Sequence, residues 1–187
     1  MATIEKTVLA DNDTIFTLSS FLSAEECVEL IRRTEATGFR DAPITTSRGF
    51  VMRPEIRNNT RVMQDDTARA ASLWDRLAGF VAPRVDRWIA IGLNERLRYY
   101  RYDVAEYFKW HRDGAFVRSP TERSLFTAMI YLNDDFEGGT TDFEDGPVIV
   151  PQRGMALLFE HRQGHQGAAV TRGRKYVLRT DVMYRQG

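Results

Sequence analysis

A chain of 187 residues, 43% apolar and 28% charged, is long enough for one buried core and too apolar for a disordered polymer. A formal net charge of zero excludes the global basic field expected of a nucleic-acid or anionic-membrane binder. A single cysteine, Cys27, excludes an intrachain disulfide framework and fits a reducing, cytoplasmic setting.

The opening stretch MATIEKTVLADND has no long apolar run, and no segment reaches the length needed to span a bilayer. Ser23 followed by Glu26 is a capping-box pattern. It predicts a helix over AEECVELIRRTEATG with Ala24, Cys27, Val28 and Ile31 on one side and Gly38 as the C-terminal cap. A second helix is expected from about Asp66, with Ala70, Leu73, Trp74, Leu77 and Val81 at helical spacing. Pro83 suggests a short third helix through Trp88 and Ile89. Between the first two helices, ITTSRGFVMRPEIRNNTRVMQ has no clear period and reads as a lid or an irregular surface loop.

From residue 96 the period changes. RLRYYRYD, EYFKWHRD, LFTAMIYLND, PVIVP, GMALLFEH and RKYVLRTDVMY are short segments rich in aromatic and β-branched residues, separated by Gly, Pro, Asn and Asp turns. About eight such strands after helices predict one domain over 1–187. Residues 1–95 supply helical support and a possible substrate lid; 96–187 form an antiparallel jelly roll, the double-stranded β-helix of cupin-like folds. In LFTAMIYLN the alternation puts Thr127, Met129 and Tyr131 on one face, suited to a polar pocket. It puts Phe126, Ala128, Ile130 and Leu132 on the other, suited to a hydrophobic core.

His111 and Asp113 stand two apart in EYFKWHRDGAF. A kinase catalytic loop would require Asn at 118, where Arg118 stands, together with a glycine-rich phosphate loop and a DFG. A metal site requires two ligands on one strand face, which this spacing supplies, and a third from afar. The other two histidines, His161 and His165, lie late in the β-rich half. Together with one of them, His111 and Asp113 make the 2-His-1-carboxylate set that leaves open positions on non-haem Fe(II).

Three blocks then carry a resemblance to the prolyl 4-hydroxylase-like branch of the Fe(II)/2-oxoglutarate dioxygenases. They are RYDVAEYFKWHRD, TAMIYLNDDFEGGTTDF and PQRGMALLFEHRQGHQGAAVTRGRKYVLRTDVMY, in matching order over about half the chain. Ala105 and Glu106 replace the Gly-Gln usual there. The resemblance implies His111, Asp113 and His165 as metal ligands, with His161 in a supporting role. His165 is preferred because the basic cosubstrate residue of the family lies about ten positions on, where Lys175 stands. It further implies that Lys175 and Tyr131 bind the distal carboxylate of 2-oxoglutarate and that Tyr102 lies near its chelating end. Thr127 shares that pocket face. The implied cofactors are Fe(II), 2-oxoglutarate and O₂, with ascorbate as a reductant, and the implied reaction is hydroxylation with succinate and CO₂ as coproducts. Asp113 argues against halogenation, which in this superfamily needs that ligand position free.

Lysine is scarce here, three against 23 arginines, so a lysine at 175 is a marked choice for a compact cation. Arg179 shares a face with Lys175 and Val177 and is expected at the barrel mouth, for substrate or for the metal site. In the lid candidate, Arg57, Asn58, Asn59 and Arg61 are suited to carboxylate or amide groups. The expected partner is a prolyl-type, amino-acid, peptidyl or other small-molecule substrate, with neither nucleic acid nor membrane. Two alternatives keep the fold: a cupin-like isomerase or hydrolase that does not use 2-oxoglutarate, and a non-catalytic jelly-roll binding module.

Overall fold

The computed structural model describes residues 3–46 and 49–187, and its two largest sheets pack face to face. The major sheet runs Glu5–Val8, Ile15–Ser19, Ala156–Glu160, Glu122–Tyr131, Lys175–Gln186, Arg96–Tyr102, Thr60–Asp65 and Arg40–Asp41, antiparallel throughout. The minor sheet runs Phe108–His111, His165–Gly167, Thr141–Phe143 and Val148–Ile149, also antiparallel. This is the expected jelly roll. Residues 96–187 hold eleven strands rather than about eight. The surplus consists of ladders such as Val117–Ser119, Glu137–Gly138 and Val170–Arg172, too short to show a period in the sequence.

The Glu122–Tyr131 strand divides the interior in two, as its alternation requires. Phe126, Ala128, Ile130 and Leu132 join Leu158 and Leu178 beneath the helices. On the opposite face Tyr131, Leu157, Phe159 and Val177 meet Phe143 and Ile149 of the minor sheet. The candidate site lies on this second face.

Helix α1 spans Ala24–Thr37 with the full capping box, Ser23 accepting from the Glu26 N–H and Glu26 from the Ser23 N–H. Gly38 ends it with φ 88°. Its buried face overlaps the expected one, with Cys27 buried and Ile31 packed against the core, but is centred on Leu30. Cys27, Leu30 and Thr34 are buried, whereas Val28 is 58% exposed and Ala24 lies outside. The stripe follows i, i+3, i+7 through Leu30, and a hydroxyl (Thr34) is admitted because it donates back to the Leu30 carbonyl. Helix α2, Thr67–Leu77, is capped by Asp66 and buries Ala70, Leu73 and Leu77 as expected.

The third helix is absent. Arg84–Val85 and Trp88–Leu93 form a hairpin instead, with Asp86 at φ 51° in its two-residue turn, and the second strand pairs with Lys175–Gln186. Trp88, Ile89 and Ile91 favour a pleated surface, and pairing with a long strand outweighs the proline signal. The N-terminal half therefore contributes strands to the major sheet as well as helices. Among the described residues no helix is long and apolar enough to cross a membrane.

One turn is fixed by backbone geometry. Gly138 and Gly139 both take positive φ, 73° and 62°, and a Cβ at Gly138 would overlap the Ala169 carbonyl oxygen. Gly138→Ala is expected to cost about 2 kcal/mol or more. Urea unfolding checks it: a midpoint within error of the parent would contradict this account.

Candidate active site

The paired strands Phe108–His111 and His165–Gly167 set the two histidines opposite one another in register, His111 against His165. Their rings lie 4.2 Å apart by centroid. Each imidazole gives its Nδ1 to a backbone carbonyl, His111 to Lys109 at 2.7 Å and His165 to Gln163 at 3.0 Å. A carbonyl oxygen only accepts, so Nδ1 carries the proton and the bare Nε2 faces the centre. Both Nε2 atoms stand 3.8 Å from an Asp113 oxygen. One donor atom from each of His111, Asp113 and His165 falls within 4.8 Å of the others, a set that can hold one metal ion.

The electrostatics suit such an ion. Burial and the neighbouring His165 push His111 down to about 3 against the pull of Asp113, and burial likewise lowers His165. Both rings are neutral ligands at physiological pH. Burial alone would raise the Asp113 carboxyl, but Arg179, the two histidines and the Thr127 hydroxyl hold it well below the usual carboxylate range. Two neutral imidazoles, one carboxylate and no thiolate make the donor set suited to a divalent iron.

A chain of hydrogen bonds stands behind Asp113. Thr127 Oγ1 donates to Asp113 Oδ2 at 2.6 Å and lies 3.0 Å from His161 Nδ1, whose Nε2 lies 2.8 Å from Ser124 Oγ. Since Thr127 spends its one proton on Asp113, it accepts from His161. Ser124 donates to the far nitrogen and accepts from the Phe116 N–H at 2.8 Å. His161 is thus placed as a support for the carboxylate. Thr127 shares the expected face but touches Asp113, not Lys175. Thr127→Val keeps the shape, and a loss of about 10–100-fold in Co(II) or Fe(II) affinity is expected from the missing support. Metal titration reads this directly; unchanged affinity would contradict it.

Arg179 is placed at this centre too, its Nη2 3.1 Å from Asp113 Oδ2 and 3.2 Å from Asp181 Oδ1. Asp181 also takes Arg98 at 3.0 Å and is 1% exposed. The four charges form one buried network in which Asp113 Oδ2 faces Arg179 and Thr127.

Two cavities meet at His111 and Asp113, and His165 lines the inner one alone. The inner one is small and reaches Lys175, Thr141, Tyr102 and Met129; both cavities touch Tyr100, Phe108, His111, Asp113 and Arg179. Lys175 is 2% exposed, donates to the Gly139 carbonyl at 2.6 Å and, among the described residues, has no carboxylate within ion-pair distance. Burial lowers its pKa from the ordinary 10.5 to about 7, with Asp142 opposing. The hydroxyls of Tyr131 and Thr141 are 2.7 Å apart, and it is Thr141 that reaches the cavity. Tyr102 lines the same cavity, its phenol raised by burial to about 12 and therefore protonated.

Thr141 and Tyr100 were not singled out from the sequence. Tyr100 could have been, since in RLRYYRY it shares a face with Tyr102; Thr141 had only its place after the Gly-Gly turn as a signal. Of the lid residues, Arg57 and Arg61 line the outer cavity while Asn59 does not. Asn59 is 1% exposed, and its side-chain oxygen accepts from Arg57 Nε at 2.7 Å, so it positions the arginine. Asn58 bonds the Tyr107 backbone N–H. Ile44–Thr46 and Gly49–Val51 pair as a hairpin beside them; Ser47 and Arg48 of the lid candidate lie outside the described residues.

Residues 97–180, which hold the trio and Lys175, match the family described as the 2OG-Fe(II) oxygenase superfamily. With this site on a jelly roll, the match indicates an Fe(II)/2-oxoglutarate dioxygenase, a family that uses Fe(II), 2-oxoglutarate and O₂. The isomerase, hydrolase and binding-module alternatives are thereby set aside.

Solved structures share its fold. A viral collagen prolyl hydroxylase from Paramecium Bursaria Chlorella virus-1, in its 2OG complex, aligns with TM-score 0.67 and 21% identity over 94% of this chain and 98% of that one. A Trichoplax adhaerens prolyl hydroxylase, complexed with a hypoxia inducible factor oxygen degradation domain peptide fragment, gives 0.74 and 16% over 92% and 84%. A Pseudomonas putida prolyl-4-hydroxylase gives 0.65 and 17% over 93% and 94%. The chain is prolyl 4-hydroxylase-like, a likeness of fold at these identities. No curated protein matches the sequence significantly.

Proposed function

We propose that the protein hydroxylates an unactivated C–H bond of a prolyl-type, amino-acid or other small-molecule substrate, with succinate and CO₂ as coproducts. The observation that carries this reading is the meeting of two cavities at His111 and Asp113, with His165 and a buried lysine lining the inner one; among the described residues that lysine has no carboxylate partner.

In this reading His111, Asp113 and His165 hold Fe(II), which supplies O₂ activation coupled to decarboxylation of 2-oxoglutarate. Lys175 takes the distal carboxylate of the cosubstrate as a point charge, with Thr141 beside it and Tyr131 fixing the Thr141 hydroxyl. Tyr102 and Tyr100 close the inner chamber, and their rings keep water from the cosubstrate. Phe108 stacks on His111 at 3.5 Å and holds that ring in its ligating pose. Arg179 and Thr127 occupy one oxygen of Asp113, so the carboxylate offers the other to the metal.

Anaerobically purified protein, given Fe(II), ascorbate, 2-oxoglutarate and then O₂, is expected to form succinate. The rate should rise with a prolyl peptide or a free amino acid. Iron binding with no succinate under any of these conditions would sink the proposal.

A further inference from the structure

The outer cavity has a volume of about 430 Å³ and opens beside His111 and Asp113. Six arginines line it: Arg57, Arg61, Arg96, Arg98, Arg112 and Arg179. Four have carboxylate partners, Arg96 with Asp65, Arg98 with Asp181, Arg112 with Glu144, and Arg179 with Asp113 and Asp181. Among the described residues Arg57 and Arg61 have none.

Arg57 is the more telling of the two. It is 5% exposed, and its guanidinium lies 4.4 Å from the Tyr100 ring centroid and 4.5 Å from that of Phe108. Asn59 takes the Nε proton, and Nη2 is buried with no hydrogen-bond partner at all. A buried guanidinium clamped between two aromatic faces, with a donor left over, is poised for a planar anion. Without one, Nη2 is left buried and unsatisfied. Arg61, half-buried and facing Phe50, adds a second charge on the same wall.

The cosubstrate does not fill this role. Lys175 belongs to the inner cavity and not the outer, whereas Arg57 belongs to the outer and not the inner. The two chambers share only the wall around His111 and Asp113. Phe108 touches both Arg57 and His111, so an acid held at Arg57 shares one cavity with His111 and Asp113.

We propose that the outer cavity is a carboxylate-recognising substrate site. In it Arg57, positioned by Asn59 and supported by Arg61, takes the carboxylate of a free amino acid or other small carboxylic acid, or of a peptide terminus or acidic side chain. This rests on the oxygenase reading for the identity of the bound molecule as substrate. A neutral prolyl segment in mid-peptide would leave Arg57 unpaired.

Calorimetric titration under anaerobic conditions, with protein loaded with Fe(II) and 2-oxoglutarate, tests it. The probes are the free amino acids and short prolyl and acidic peptides, each beside its carboxamide. At least one acid is expected to bind about 30-fold or more tightly than its amide. Free acids and peptide acids distinguish the two sources. Arg57→Gln and the apolar Arg57→Met should erase that preference while leaving 2-oxoglutarate affinity within about twofold. Arg61→Gln, at a less buried position, should weaken the acid about tenfold.

Equal binding of acids and amides throughout, or a preference that survives both Arg57 variants, would overturn the proposal. Succinate formed by the wild type from 2-oxoglutarate alone reports on the oxygenase reading. Its absence alongside an Arg57-dependent acid preference would count against that reading and not against the carboxylate site.

Discussion

Lys175→Met is expected to abolish 2-oxoglutarate turnover and at the same time raise the melting temperature. The two effects share one cause. Lys175 is 2% exposed, its ammonium has a single carbonyl acceptor, and burial brings its pKa to about 7. In the free enzyme the charge is therefore a cost, and a methionine of similar length removes it; replacing buried ionic groups with packed apolar ones is stabilising by about 1–4 kcal/mol in favourable cases. In the complex the same ammonium is the counter-ion of a carboxylate, and its removal leaves that carboxylate buried and unpaired. A loss of about 10³-fold or more in kcat/KM follows, carried mainly by KM for 2-oxoglutarate. A Lys175→Met protein that melted lower and still turned over would contradict both halves.

The pH dependence has a definite sign. Lys175 has a folded pKa of about 7 against an ordinary 10.5. Between those values the unfolded chain holds more protons, so its contribution makes stability rise with pH, by up to about 1.4 kcal/mol per unit. That slope should be missing in Lys175→Met. Binding of 2-oxoglutarate requires the ammonium, so above pH 7 it draws a proton from solution. Affinity should weaken by up to about tenfold per pH unit. Titration calorimetry at pH 8 in buffers of different ionisation enthalpy should register close to one proton taken up; none would show that the lysine is already charged.

The catalytic half of the fold was readable because its signals were periodic. The alternation in Thr127–Leu132 separated the site face from the core face, and the spacing of His111 and Asp113 brought two donors together, although the strand ends at His111 and Asp113 lies just beyond it. The helix caps at Ser23 and Asp66 were readable because they are local. What failed was non-local. The Trp88–Leu93 hairpin strand exists by virtue of a partner more than 85 residues away, and Pro83 pointed elsewhere. Thr127 was read by its face, but whether it meets Lys175 or Asp113 depends on how deep each residue lies between the sheets. Asn59 looked like a ligand-binding amide and is bound to its neighbour but one. Alternation assigns faces; it does not assign depth or partner.

Asp113→Ala is the variant expected to remove the most function with the least damage to the fold. The carboxylate is the only anionic donor in the trio, and without it two neutral imidazoles remain beside the Arg179 cation, an arrangement that repels a divalent ion. Iron affinity should fall below what titration can detect, and turnover should fall by about 10³-fold or more. The chain should still fold, because Arg179 keeps Asp181, and Thr127 keeps His161, as partners. The acid limb of the stability profile gives an independent reading. A carboxyl held below its usual range contributes stability that is complete above about pH 4 and is lost as pH falls toward its folded pKa. Metal-free Asp113→Ala should therefore lose less stability on acidification than metal-free parent protein. If it turned over normally, the trio would not be the metal site. If instead it lost turnover but kept the parent's acid sensitivity, the pairing of Asp113 with Arg179 would not be the source of that stability.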